Sequence, residues 1–168
     1  MHAFKEISPK ELKDNPFVMI GTDWLLVTAA KGDKVNTMTA SWGGVGILWN
    51  KPVAFVFIRP QRYTKEFVDD ADTLSLSVLN NSFRKTLSYL GTVSGRDEDK
   101  IQKAGLTIRY EDNTPFFDEA EKVLLCRKLY RQNLEPACFL EQQIDASVYP
   151  EKDYHAMYVC EIEKILTC

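Results

Sequence analysis

Arg59-Pro60-Gln61-Arg62-Tyr63-Thr64 brings two guanidinium groups and a hydroxyl to a point where a strand gives way to a helix. Proline has no N–H for a sheet ladder, so the strand ends at Pro60 and both arginines fall at its rim. Thr64 is read as the N-cap of the helix, where free backbone N–H groups and the positive end of the helix dipole face outward. Guanidinium forks, a hydroxyl and unpaired amides together suit a phosphate. A second segment, Ser94-Gly95-Arg96-Asp97 followed by Lys100, repeats this chemistry, and Gly95 lets backbone approach a ligand closely. Two such rims point to one extended ligand with a phosphate and further polar groups. Each also has a plain structural alternative: a helix start with two solvated arginines in the first case, capping by Ser94 and Asp97 in the second.

The third stretch, Val35-Asn36-Thr37-Met38-Thr39-Ala40-Ser41-Trp42, reads as a strand. Alternation puts Asn36, Met38, Ala40 and Trp42 on one face and Thr37, Thr39 and Ser41 on the other. Backbone amides, small polar side chains and an apolar platform are what a flat heterocycle binds to. Cross-strand threonine pairing is the structural alternative.

The elements that must position these residues are mostly strands. Alternating or β-branched runs predict strands over 17–20, 24–30, 35–42, 53–58, 74–79, 123–130, 144–149 and 157–165. Helical spacing predicts helices over 64–72 and 83–90, the latter ended by Gly91. Ser8-Pro9-Lys10-Glu11 has the spacing of a capping box and starts a short helix reaching about Asp14. Asp97 is read as the cap of a further helix that closes at Gly105. The implied fold is mainly β with inserted helices, a closed or nearly closed β-barrel, in one domain over residues 1–168.

The 168 residues carry 21 Lys+Arg against 24 Asp+Glu, a net charge of -3, which leaves no broad basic footprint for nucleic acid. No run approaches the roughly 18 apolar residues of a membrane helix, and the N-terminal stretch lacks a secretory pattern, so a cytoplasmic location is expected. Cys126, Cys138, Cys160 and Cys168 lie far apart and read as free thiols. With only His2 and His155 beside them, a closed metal site is not expected. Gly43, Gly44 and Gly46 form neither a G-x-G-x-x-G nor a P-loop pattern. No spacing suggests a nucleophile with its base.

Taken in order, NTMTASW at 36–42, W-x-K-P at 49–52, IRPQRYT at 58–64, GTVSGRDEDK at 91–100 and a histidine before a late apolar strand at 155–162 resemble the flavoredoxin branch of the flavin reductase-like family. The resemblance covers nearly the whole chain. It implies an FMN-binding split β-barrel, a homodimer, NADH or NADPH as hydride donor, and possible electron exchange with a redox protein partner. It implies that Asn36, Met38, Thr39, Ala40, Ser41 and Trp42 surround the flavin ring, and that Arg59, Arg62, Tyr63, Thr64, Ser94, Gly95 and Lys100 hold the ribityl phosphate. It also implies a catalytic place for His155 near the flavin and its donor, beside the alternative of a structural histidine. FMN has about 31 non-hydrogen atoms, and at about 0.3 kcal/mol each it would bind tightly, with about 9 kcal/mol. Two departures stand out: Asp153-Tyr154 occupies the place of the family's usual Gly-Ser, and Leu90 precedes Gly91 where relatives often carry cysteine.

Overall fold

Residues 2–168 are described by the computed structural model. Its strands are β1 (Lys5–Ile7), β2 (Leu25–Lys31), β3 (Lys34–Ala40), β4 (Gly43–Leu48), β5 (Lys51–Ile58), β6 (Thr73–Val78), β7 (Ile108–Glu111), β8 (Thr114–Phe117), β9 (Lys122–Asn133) and β10 (Ala156–Thr167). Its α-helices are α1 (Pro16–Val18), α2 (Tyr63–Asp70), α3 (Arg84–Thr92), α4 (Lys100–Lys103) and α5 (Gln142–Val148). Eight strands form one antiparallel sheet in the order β3-β2-β6-β9-β10-β5-β4, with β1 added to β10, while β7 and β8 form a separate hairpin. The edge strands β3 and β4 are not hydrogen-bonded to each other, so the barrel is split there and the sheet is not closed.

The two faces of β2 show how the core is divided. Leu25, Val27 and Ala29 join Met38, Val56, Leu74, Leu76, Tyr158 and Ile162 in one apolar cluster. Leu26 points the other way, into a second cluster with Leu87 and Leu90 of α3, Phe116 and Phe117 of β8, and Val123 of β9. A strand buried on both faces reads as a continuous apolar run, which is what LLVTAA is. Helix α3 therefore packs against β3 on the face away from the first cluster and leads into the loop containing Ser94 and Gly95.

Several expected elements take other forms. Residues 17–20 are not a strand. Pro16 starts α1, the Asn15 side chain accepts from the Phe17 N–H at 3.0 Å, and the chain continues through a wide turn over Met19–Asp23. Residues 144–149 fall largely in α5, whose Ile144 is exposed, so the β-branched residues there line a surface helix instead of a sheet. The helix assigned to an Asp97 cap begins at Lys100, with Asp99 accepting from the Gln102 N–H at 3.0 Å, although Gly105 does close it in the left-handed region at φ +69°. Gly91 lies inside α3, which runs on to Thr92. The box at Ser8 forms as its spacing predicts, but around a single 3-10 turn over Pro9–Glu11.

Strand β4 was hidden by three glycines in six residues. Trp49 and Asn50, at φ 52° and 58°, form the two-residue turn that pairs it with β5. Cys126 and Cys160 are buried free thiols, and Cys138 and Cys168 are exposed ones. No helix among the described residues is long and apolar enough to cross a membrane.

Candidate functional site

Beside the split, the last residues of β3 and the loop after it wall a cavity of about 260 Å³, lined by Met38, Thr39, Ala40, Ser41, Trp42, Phe57, Arg59, Arg62 and His155. A second cavity of about 170 Å³ is lined by Asn36, Gln61, Arg62, Tyr63, Thr64, Thr92, Val93, Ser94, Gly95 and Lys100. Arg62 belongs to both, so one guanidinium stands between a flatter, partly apolar chamber and a smaller polar one.

The polar chamber is built around two cations. Lys100 is 3% exposed, and its Nζ donates to Leu90 O at 2.8 Å and Val93 O at 2.9 Å, tying off the C-terminal end of α3. Burial, reinforced by the nearby charge of Arg62, holds the Lys100 ammonium down to about 8. Arg62 donates to Gly91 O at 2.7 Å, and burial also lowers its pKa. Among the described residues neither cation has a carboxylate within ion-pair distance. A buried ammonium beside a half-buried guanidinium, with no counterion, is costly unless an anion joins them.

The hydroxyls and the glycine complete the chamber. Thr64 is not the helix cap: Arg62 occupies that position in α2 and makes no side-chain capping bond. Thr64 is instead buried, and its Oγ1 accepts from Asn36 Nδ2 at 2.9 Å, which leaves its own proton for the cavity. Gly95 packs so closely that a Cβ on it would lie 2.2 Å from Asn36 Oδ1 and 3.2 Å from Tyr63 Cδ1. Arg96 latches the two rims together, with its guanidinium 4.6 Å from the centre of the Tyr63 ring, a bond to Gln61 O at 3.2 Å, and an ion pair with Glu66.

Arg59 does not join that chamber. Its Nη1 pairs with Asp153 Oδ2 at 2.5 Å and its Nη2 donates to Val148 O at 3.0 Å, on the side of the larger cavity. Gln61 Nε2 donates to the same Asp153 oxygen at 2.7 Å, and together these bonds hold the Asp153 carboxyl below its usual range. His155 is buried in the wall, 5.3 Å from Trp42 and 5.6 Å from Tyr149 between ring centres, with Nδ1 2.7 Å from Tyr149 Oη. Burial, with the Arg59 charge adding and Asp153 opposing, holds its pKa down to about 4, so it is neutral at pH 7.

On β3, the threonine hydroxyls are taken up by protein partners. Thr37 Oγ1 pairs with Thr28 Oγ1 across the strands at 2.9 Å and donates to Val27 O at 3.1 Å, and Thr39 Oγ1 donates to Leu87 O at 2.5 Å. The cross-strand pairing reading therefore holds for Thr37, and what the strand offers the cavity at Thr39 is backbone more than hydroxyl. Asn36 falls in the polar chamber, apart from Met38, Ala40, Ser41 and Trp42 in the other. Phe57, Thr92, Asp153 and Tyr149 escaped the sequence reading. Only Asp153 carried a signal there, as a departure from a family pattern.

A family model described as "Flavin reductase like domain" matches residues 19–167. Among solved structures, an FMN-binding domain of a flavin reductases-like enzyme from Shewanella baltica is similar with a TM-score of 0.71 at 15% identity, covering 98% of this chain and 77% of that one. A flavoredoxin from Methanosarcina acetivorans is similar at 0.65 and 23% identity, covering 85% and 67%. An NADH:FAD oxidoreductase from Streptomyces globisporus, in complex with NAD and FAD fragments, is similar at 0.65 and 14% identity, covering 88% and 75%. At these identities the likeness is one of fold. A search of curated proteins found no match.

Proposed function

Since this chain belongs to the flavin reductase-like domain family, we propose that it binds FMN across its two joined cavities and works as an NADH- or NADPH-dependent oxidoreductase. The observation that carries the reading is the pair Arg62, half-buried, and Lys100, buried, both lining one small chamber with no carboxylate within ion-pair distance among the described residues. A phosphate dianion supplies that charge, with Ser94 and Thr64 as hydroxyl donors and Gly95 as the close-packed wall. The flavin ring then belongs in the larger cavity, against the backbone of Thr39 to Trp42 and beside His155. Arg62, common to both chambers, is the link.

When bound, FMN supplies the redox chemistry, taking hydride from a nicotinamide and passing electrons onward. The chain's own work is binding and orientation. Cations at the phosphate end fix one end of the cofactor, and backbone along β3 fixes the other. Hydride transfer needs no acid–base dyad, and His155, neutral at pH 7, is suited to hydrogen bonding and not to proton relay.

A second reading, an FMN electron carrier without its own nicotinamide oxidase activity, is favoured by one observation: Trp42, a wall of the ring cavity, is 53% exposed and leaves that chamber open to a protein partner. We also propose a homodimer, on the strength of Ile47, Trp49 and Tyr130, which expose apolar surface around the edge strand β4. The visible spectrum of the purified protein, followed by anaerobic addition of NADH or NADPH, tests the main reading. Flavin bands that bleach support the reductase, and bands that persist until a reduced protein partner is supplied support the carrier. A colourless protein that also fails to take up added FMN would refute both.

A further inference from the structure

His155 is one of two histidines in the chain, and its surroundings decide which of its nitrogens carries the proton. Nδ1 lies 2.7 Å from Tyr149 Oη. A neutral imidazole has one donor nitrogen and one acceptor, so this contact has two possible directions. The phenol selects between them. Tyr149 is 3% exposed, burial raises its pKa, and it keeps its proton at neutral pH. The Tyr149 proton has no other acceptor among the described residues, so it goes to Nδ1.

The phenol is itself held. Its ring packs in tilted contact with Tyr154 at 4.9 Å and Phe139 at 5.8 Å, and lies under the Arg59 guanidinium at 5.1 Å. Tyr154 is anchored by its Oη donating to Asp145 Oδ1 at 2.7 Å, and Arg59 by Asp153. The segment from Phe139 to Tyr154 thus forms a small aromatic buttress whose polar tip is Tyr149 Oη. The charged and titratable groups around the imidazole are Arg59 from the end of β5, Asp153 from its own loop and Tyr149 from the end of α5, with Trp42 as its apolar neighbour.

We propose that Tyr149 is a positioning residue that locks His155 as the neutral Nε2–H tautomer, making it a fixed hydrogen-bond donor in the wall of the larger cavity. Its use in that cavity rests on the flavin reading. A neutral donor there stabilises negative charge gathering on a bound acceptor as electrons arrive, without surrendering a proton. The donor is independent of pH across the neutral range, because His155 takes up a second proton only near pH 4.

The tautomer is readable without any cofactor. In the ¹⁵N-labelled full chain carrying His2→Gln, His155 is the sole imidazole, and long-range ¹H–¹⁵N correlation at pH 7 distinguishes the protonated nitrogen from the bare one. The expected spectrum shows a bare Nδ1 and a protonated Nε2. With Tyr149→Phe added, the nitrogen shifts should move toward the average of a tautomer mixture. An Nδ1–H signature in the Tyr149 protein overturns the proposal without recourse to the variant, and so does a Tyr149→Phe spectrum that does not change. Failure of the flavin reading would show separately, as absence of FMN binding with the tautomer intact.

Discussion

Replacing Lys100 with methionine separates a ligand-binding cation from a helix-end brace. The substitution keeps the length and apolar stem but removes the charge and the two bonds to Leu90 O and Val93 O. In the free protein these losses oppose each other. Holding the ammonium down from 10.5 to about 8 corresponds to about 3 kcal/mol of strain in the folded state, at about 1.4 kcal/mol per pKa unit. Its removal is a gain, while leaving two buried carbonyls without a donor costs about 1–3 kcal/mol each. The melting temperature should therefore move by only a few degrees. FMN affinity should not be spared: a charge-assisted bond to phosphate contributes about 1.5–3 kcal/mol, so the dissociation constant should rise by about 10- to 100-fold.

The assay is quenching of flavin fluorescence, run in parallel with riboflavin, which lacks the phosphate. The loss should appear for FMN alone. Protonation gives a second handle. Since the folded-state pKa is depressed, the destabilisation is fully present below about pH 8 and fades as pH rises from 8 toward 10.5. If the ammonium holds the FMN phosphate as proposed, affinity should weaken as pH climbs through about 8. Equal losses for FMN and riboflavin, or a large fall in melting temperature with unchanged FMN affinity, would show that Lys100 is only a brace.

Other substitutions divide the site in the same way. Arg62→Ala should raise the FMN dissociation constant by about tenfold or more, whereas Arg59→Ala, whose guanidinium is committed to Asp153 and Val148 O, should leave the preference for FMN over riboflavin within a few-fold. Arg59→Ala should instead loosen the Phe139–Tyr154 segment, measurable as faster limited proteolysis there. Gly95→Ala forces a Cβ against Asn36 Oδ1 and so disturbs the Asn36–Thr64 bond, and titration should give an FMN affinity at least tenfold weaker. A Gly95→Ala protein with unaltered affinity would remove that wall from the proposed phosphate site.

Most residues of the small polar chamber were legible in the sequence because they sit in two short segments whose residue types are unusual together, with Asn36 added from a third. What the sequence could not assign was the division of labour. Arg59 and Arg62 are equivalent as text, three residues apart around a proline. They differ because one faces Asp153, 94 positions away, and the other faces the end of α3. Likewise, Thr64 looked like a cap because hydroxyls favour that position, but a cross-element bond from Asn36 outweighed the local preference. The misread strand at 144–149 has the same origin: β-branched residues favour a pleated surface only where a neighbouring strand exists to pack against. Among the described residues no strand pairs with this segment, which instead presents Tyr149 to His155.

That contact bears on the departure at Asp153-Tyr154. Where the sequence resemblance implies small residues, the chain places a carboxylate and a phenol, and each takes up a specific load: Asp153 pairs with Arg59, and Tyr154 packs against Tyr149. Without Asp153, the Arg59 charge would face His155 uncompensated and push its pKa lower still, since Asp153 is the group that opposes Arg59 there. Without Tyr154, the Tyr149 ring would lose its closest aromatic neighbour, 4.9 Å away. The two residues therefore act on one imidazole, the first through charge and the second through geometry. Their effects on His155 should accordingly be separable, with Asp153→Asn moving its titration and Tyr154→Ser moving its tautomer balance.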